Sequence, residues 1–176
     1  MFKSSCIVAL MVLLVACGSQ PVPEGTVHDA THDTTHWRLL GKLGVRSPTY
    51  NGSVTMDWSN VEHGFAVSLT GMLGVKLARI SSNHGVIELE VPDKPSQMLN
   101  GGELQTYLGY ELPVTHIPHW VQGHPNPDAA STSEESGFKQ AGWRIEYLKY
   151  QASQPRKMRF SYGDTRLTLL IRRWEF

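Results

Sequence analysis

Three histidines, His28, His32 and His36, stand four residues apart with Asp29 and Asp33 between them. On a helix the three rings share a face, and imidazoles so placed can bind zinc. The surrounding Thr and Asp are poor helix formers, so a solvated segment is the stronger reading and no metal is expected. His116, His119 and His124 read as a helix surface beside a loop. Two cysteines, Cys6 and Cys17, complete the candidates. There is no P-loop pattern, no Gly-x-Ser-x-Gly elbow and no His-Glu-x-x-His pair. ATP-driven work and the common hydrolase schemes lack support, so neither an enzyme nor a cofactor is expected.

The cysteines take their meaning from the N-terminus. Lys3 precedes an uncharged apolar run from Ile7 to Val15, the basic start and apolar core of a signal peptide. That run is too short to span a bilayer. It ends in Leu14-Val15-Ala16-Cys17, which resembles the lipobox of bacterial lipoproteins. The resemblance implies that the Cys17 thiol is acylated, that residues 1–16 are removed, and that the new amino terminus is acylated as well. No thiol then remains for a disulfide, a zinc site or a nucleophile. In many bacteria an Asp after the Cys retains a lipoprotein in the inner membrane. Gly18 instead implies the periplasmic face of the outer membrane.

Removing the leader from 176 residues leaves 160. That is enough for one domain that hides about 70% of its unfolded surface. The chain carries 16 Lys and Arg and 16 Asp and Glu, and Lys3 is the leader's only charge. This balance argues against nucleic acid as a partner and against strong attraction to anionic lipid. The C-terminal cations Arg156, Lys157, Arg159, Arg166, Arg172 and Arg173 suit a headgroup surface, but more often such residues are solvated strand faces.

The elements that must carry any function follow from periodicity. Residues 17–36 are poor in apolar side chains and read as a tether, leaving 37–176 as the folded domain. From Leu39 onward, period-two alternation marks strands: Leu39 to Val45, Val54 to Trp58, Phe65 to Leu69, Val75 to Ile80, Val86 to Val91, Trp143 to Tyr147, Met158 to Tyr162 and Leu167 to Ile171. Asn51-Gly52, His63-Gly64, Asn83-His84-Gly85 and Gly163-Asp164 supply turns. Two short helices are expected mid-chain, over 102–109 and 117–123, with 124–136 a polar loop. The fold class is mainly β: one antiparallel sheet that curls, its two helices capping one side. Trp58, Trp143 and Trp174 sit in register with apolar strand faces and are expected in the core.

Thr70-Gly71-Met72-Leu73-Gly74 puts two bulky apolar residues between glycines at a hairpin tip. Residue type alone favours a turn whose Leu folds back into the core. An exposed Leu would instead be an apolar probe, rewarded only by a membrane or an apolar partner.

Together these parts resemble the LolB family, outer-membrane receptors that take lipoproteins from their periplasmic carrier, LolA. The matching landmarks are the lipobox at Cys17, Gly41-Lys42-Leu43-Gly44-Val45-Arg46, Met56-Asp57-Trp58, Leu69-Thr70-Gly71-Met72-Leu73-Gly74, Tyr107 to Val114, His119 to Pro125, Gly142 to Tyr147, and Trp174. The resemblance implies an unclosed antiparallel barrel whose helices lid an apolar cavity for the acyl chains of another lipoprotein. It also implies that Leu73 sits on a protruding loop that inserts cargo into outer-membrane phospholipid. Met72 stands where the family commonly has Pro, so a less rigid loop is expected, and the helix before the first strand must come from residues near 26–36.

An acyl chain in water costs about 0.8 kcal/mol per methylene, on the order of 10 kcal/mol for a chain of ordinary length. A cavity that removes this cost should be lined by side chains without donors or acceptors. The candidates are Leu43, Val45, Val54, Met56, Phe65, Val67 and Leu69 from the sheet, with Leu104, Leu108, Ile117 and Val121 from the helices. The partners implied are a LolA-like carrier, cargo acyl chains and phospholipid, acting on a monomer. The alternative is an outer-membrane scaffold that carries no lipid. A hollow apolar interior favours transport and a filled one favours the scaffold.

Overall fold

Eleven strands form one antiparallel sheet in a computed structural model of the chain, which describes residues 36–100, 103, 105–106 and 112–176. In chain order the strands are β1 (Trp37–Arg46), β2 (Asn51–Val61), β3 (Gly64–Thr70), β4 (Lys76–Asn83), β5 (Val86–Glu90) and β6 (Gln97–Leu99). Helix α1 (Ile117–Gln122) follows, then β7 (Ser131–Glu134), β8 (Gly137–Gln140), β9 (Trp143–Gln151), β10 (Gln154–Tyr162) and β11 (Thr165–Glu175). Their order across the sheet is β6-β5-β4-β3-β2-β1-β11-β10-β9-β8-β7. The first and last strands thus pair at the centre, and β6 and β7 are the two edges. The sheet is not closed.

Local chemistry explains the links. Ala141-Gly142 and His84-Gly85 each place two consecutive residues at positive φ, the backbone that a tight hairpin turn demands. Gly163, at φ 52°, opens the β10–β11 turn. Gly41 answers a different need. The β1–β11 register shifts between Leu40 and Gly41, and a Cβ there would stand 2.6 Å from the Leu170 carbonyl oxygen, so the bulge admits no side chain.

The sheet and α1 enclose a core built around Trp37, Leu39, Trp58, Trp120, Trp143, Ile145, Met158, Leu169 and Ile171. The Trp37 ring lies 5.1 Å from Trp58 and 5.4 Å from Trp174. The sequence placed Trp58 and Trp143 in this core, and both are buried. Trp174 is half-buried at its margin, its Nε1 donating to the Pro155 carbonyl over 3.2 Å. A smaller cluster of Ile87, Leu89 and Leu99 lies under β4–β6.

One expectation about the elements needs correcting. Residues 124–136 are not all loop, because Ser131–Glu134 forms edge strand β7, paired with β8. Its polar sequence has no apolar alternation, and pairing to β8 overrides the weak local preference. The short strand β6 also escaped the periodicity, being three residues long and recruited by β5. Of the helix expected at 102–109, Glu103, Gln105 and Thr106 are helical and the rest lies outside the described residues. The segment near 26–35 lies outside them too.

Candidate functional site

A cavity of about 420 Å³ opens between the inner face of the sheet and α1. Its size lies in the range of small-ligand sites. Strand parity delivers the wall. Leu43 and Val45 on β1, Val54, Met56 and Trp58 on β2, and Phe65, Val67 and Leu69 on β3 alternate onto one face and line it. Leu167 and Leu169 on β11 and Phe160 on β10 continue the lining, and Ile117, Trp120 and Val121 of α1 cover it. All nine described candidates from the sequence therefore meet at one site, while Leu104 and Leu108 lie outside the described residues.

The nine divide into two groups. Val54, Met56 and Val121 are buried and form solid wall. Leu43, Val45, Phe65, Val67, Leu69 and Ile117 point inward but stay only partly buried. Their residual accessible surface faces the hollow. Unfilled apolar volume of this kind forfeits packing contacts, and side chains of this type give a ligand no donor or acceptor.

Helix α1 is held over the cavity by polar groups that strand periodicity does not flag. Trp120 Nε1 donates to Gln140 Oε1 over 2.7 Å, and the Tyr147 hydroxyl donates to the Trp120 carbonyl over 2.7 Å. Gln140 is buried and fully engaged. Its Oε1 also accepts from the Asn126 N–H at 2.9 Å, and its Nε2 donates to the carbonyls of Asn126 and Ala129 at 2.8 Å each. The helix itself begins with Pro118 in its first turn and ends at Gly123, whose φ of 107° is left-handed, the stop that its sequence announces. Burial raises the Tyr147 hydroxyl well above the ordinary tyrosine range.

The loop after β3 leaves the sheet. The chain closes a turn from Met72 to Val75 through a 3.4 Å bond from the Val75 N–H to the Met72 carbonyl. Leu73 and Gly74 both have positive φ, 60° and 78°. Gly, Asn and Asp favour such positions, whereas a Leu there is strained. Leu73 is also fully exposed at 101%, with Met72 at 85%. This corrects the expectation, drawn from residue types alone, that the Leu folds back into the core. The left-handed backbone aims it outward. Val75 and Leu77 extend the apolar surface. Leu77 also lines the cavity, and its nearer methyl would lie 3.2 Å from a Cβ at Gly71. The tip and the cavity are thus joined through one side chain.

A family model described as outer membrane lipoprotein LolB matches residues 35–174. The chain belongs to the LolB family. It is 30% identical to the outer-membrane lipoprotein LolB of Cellvibrio japonicus, an alignment spanning 99% of this chain and 98% of the relative. It is 33% identical to the protein of that name in Pseudomonas savastanoi pv. phaseolicola, over 79% of this chain and 74% of the relative. In Stutzerimonas stutzeri the figures are 32%, 86% and 79%.

His116, His119 and His124 of this LolB-family chain fall at the lid rather than in the cavity. Asn126 Oδ1 accepts from the Asp128 N–H at 3.0 Å, which turns its Nδ2 toward His116 Nδ1 at 2.8 Å. The His119 and His124 rings lie 5.4 Å apart, and His119 Nδ1 is buried with no partner among the described residues. Burial first, then the neighbouring His124, lowers the His119 pKa, which Asp128 only partly offsets. His28, His32 and Cys17 lie outside the described residues. Gln140, Asn126 and Tyr147 are the positioning residues that sequence reasoning missed. The signal for Gln140 was its parity, two residues after buried Phe138 on the same inward face.

Proposed function

We propose that this chain is an outer-membrane lipoprotein, anchored through Cys17 and facing the periplasm. It receives lipoproteins from a LolA-like carrier by taking their acyl chains into the cavity, and inserts them into outer-membrane phospholipid at the Leu73 tip. The apolar hollow behind α1 is the observation that carries the reading. A scaffold gains nothing from an unfilled interior, which lowers stability, whereas a receptor needs one.

Direction then comes from graded affinity. Each acyl methylene withheld from water is worth about 0.8 kcal/mol, so a chain moves from cavity to cavity, and from cavity to bilayer, in nearly balanced steps. No nucleotide is required. The tip supplies the last step. A strained, exposed Leu forgoes roughly 1.5–3 kcal/mol of burial, and that energy is regained when the tip enters the bilayer. The test is transfer of a lipoprotein from loaded carrier to this protein without ATP. Transfer supports the proposal, and failure with a cargo the carrier releases to its usual receptor contradicts it.

A further inference from the structure

Two arginines face each other across the centre of the sheet. Arg46 ends β1 and pairs in register with Arg166 at the start of β11. Their neighbours Val45 and Leu167 line the cavity, so by strand alternation both arginines lie on the outer face, and both are exposed. Directly opposed residues have Cβ atoms about 4.5–5.5 Å apart, where like charges repel. Several other arginines of the outer surface are neutralised, Arg38 by Asp57 and Glu175, Arg144 by Glu134, Arg159 by Glu146 and Arg173 by Glu175, whereas Arg46 and Arg166 are set directly opposite each other. Among the described residues no carboxylate pairs with Arg46 or Arg166. Asp164, in the adjoining hairpin turn, carries no ion pair to either.

Register places this pair beside the apolar tip. Arg46 faces Asn51 on β2, and four residues further along β2 Thr55 faces Thr70, where β3 ends and the tip begins. The tip therefore runs on toward the same rim. It stands two strands from β1 and three from β11, about 10–15 Å at the usual strand spacing. Lys76, exposed, follows directly after the tip.

We infer that Arg46 and Arg166 form a clamp for the phosphate of an anionic phospholipid, engaged when the tip enters the bilayer. The inference rests on the membrane reading of Leu73. Guanidinium forks match phosphate oxygens two at a time, and a phosphate between two unneutralised arginines relieves their repulsion. The neutral balance of the whole chain does not oppose this. With a screening length of about 8 Å at physiological salt, only charges at the contacting rim are felt. Of the basic C-terminal residues singled out by sequence, Arg159 and Arg173 are paired with carboxylates, and the register sets Arg166 directly opposite a second arginine, Arg46.

The experiment uses the full lipid-anchored chain, reconstituted into vesicles of phosphatidylcholine alone or with about a third phosphatidylglycerol, and follows cargo delivery from loaded carrier. At about five-fold per basic side chain near an anionic surface, the wild type should deliver faster to anionic vesicles by an order of magnitude or more. Arg46→Gln with Arg166→Gln should remove that advantage, as should high salt. Leu73→Glu should stop delivery to both compositions. The clamp is overturned if the double variant keeps the full anionic advantage. It is also overturned if the double variant slows delivery equally on both vesicles, which would place the pair against a protein. The tip reading fails separately, by normal delivery from Leu73→Glu.

Discussion

Trp120 and Gln140 are joined by a 2.7 Å hydrogen bond inside the molecule, indole Nε1 to amide Oε1, with both side chains buried. This bond ties the lid of the cavity to the sheet. Trp120 packs its ring 6.2 Å from Phe160 and 6.4 Å from Phe138 and Trp143. Gln140 also fixes the chain that leaves the helix, through Asn126 and Ala129.

Gln140→Leu should therefore cost about 2–4 kcal/mol, because it strands the Trp120 indole N–H and the Asn126 amide in the interior. Tyr147→Phe removes one bond to the Trp120 carbonyl and should cost about 1 kcal/mol. Denaturant melts of both variants check the order. A Gln140→Leu protein as stable as the wild type would show that the lid is held by its apolar contacts alone.

Leu73 makes opposite demands on stability and on delivery. Leu73→Glu should change stability by no more than about 0.5 kcal/mol, as expected for a surface position, and should leave acyl binding intact. Leu73→Asn should melt at or above the wild type, since Asn tolerates the left-handed backbone that strains Leu. Both variants should fail to deliver cargo to liposomes. A large loss of stability in either would restore the buried-Leu reading.

The lid should weaken in acid. His119 has its pKa lowered in the folded protein by burial, with His124 adding to it, so the unfolded chain binds the proton more readily. As pH falls through the unfolded value near 6.5 toward the lower folded value, the unfolded state gains protons first and stability declines. Thermal melting at pH 7.5 and pH 5.5 should show that decline, and His119→Gln should make it shallower. An unchanged slope in the variant would assign the effect to other groups.

Anchoring should depend on Cys17 and its neighbour. Cys17→Ala should abolish acylation and processing at that site, and Gly18→Asp should hold the protein in the inner membrane. Membrane fractionation reads both. A mature, acylated Ala variant in the outer membrane would contradict the assignment.

Much of this was legible in the sequence because a strand has a period of two. Once Leu43, Val45, Val54, Met56, Phe65, Val67 and Leu69 are placed on strands, parity alone puts them on one face. Whether that face is filled or hollow depends on β1 pairing with β11 and on where α1 lands, which are contacts between distant parts of the chain. Leu73 was misjudged from residue type because its direction is set by two successive left-handed residues, and Leu is a rare occupant of the first. Gln140 and Asn126 were missed because a buried amide looks polar in sequence, and only its four bonds reveal it as an anchor.

The most direct test of the account is binding of a fluorescent fatty acid to the protein. The wild type should bind, Leu73→Glu should bind equally well, and Leu69→Asp, which sets an unpaired charge in the cavity wall, should bind weakly. Absence of binding by the wild type, or undiminished binding by a folded Leu69→Asp variant, would contradict a cavity that carries acyl chains.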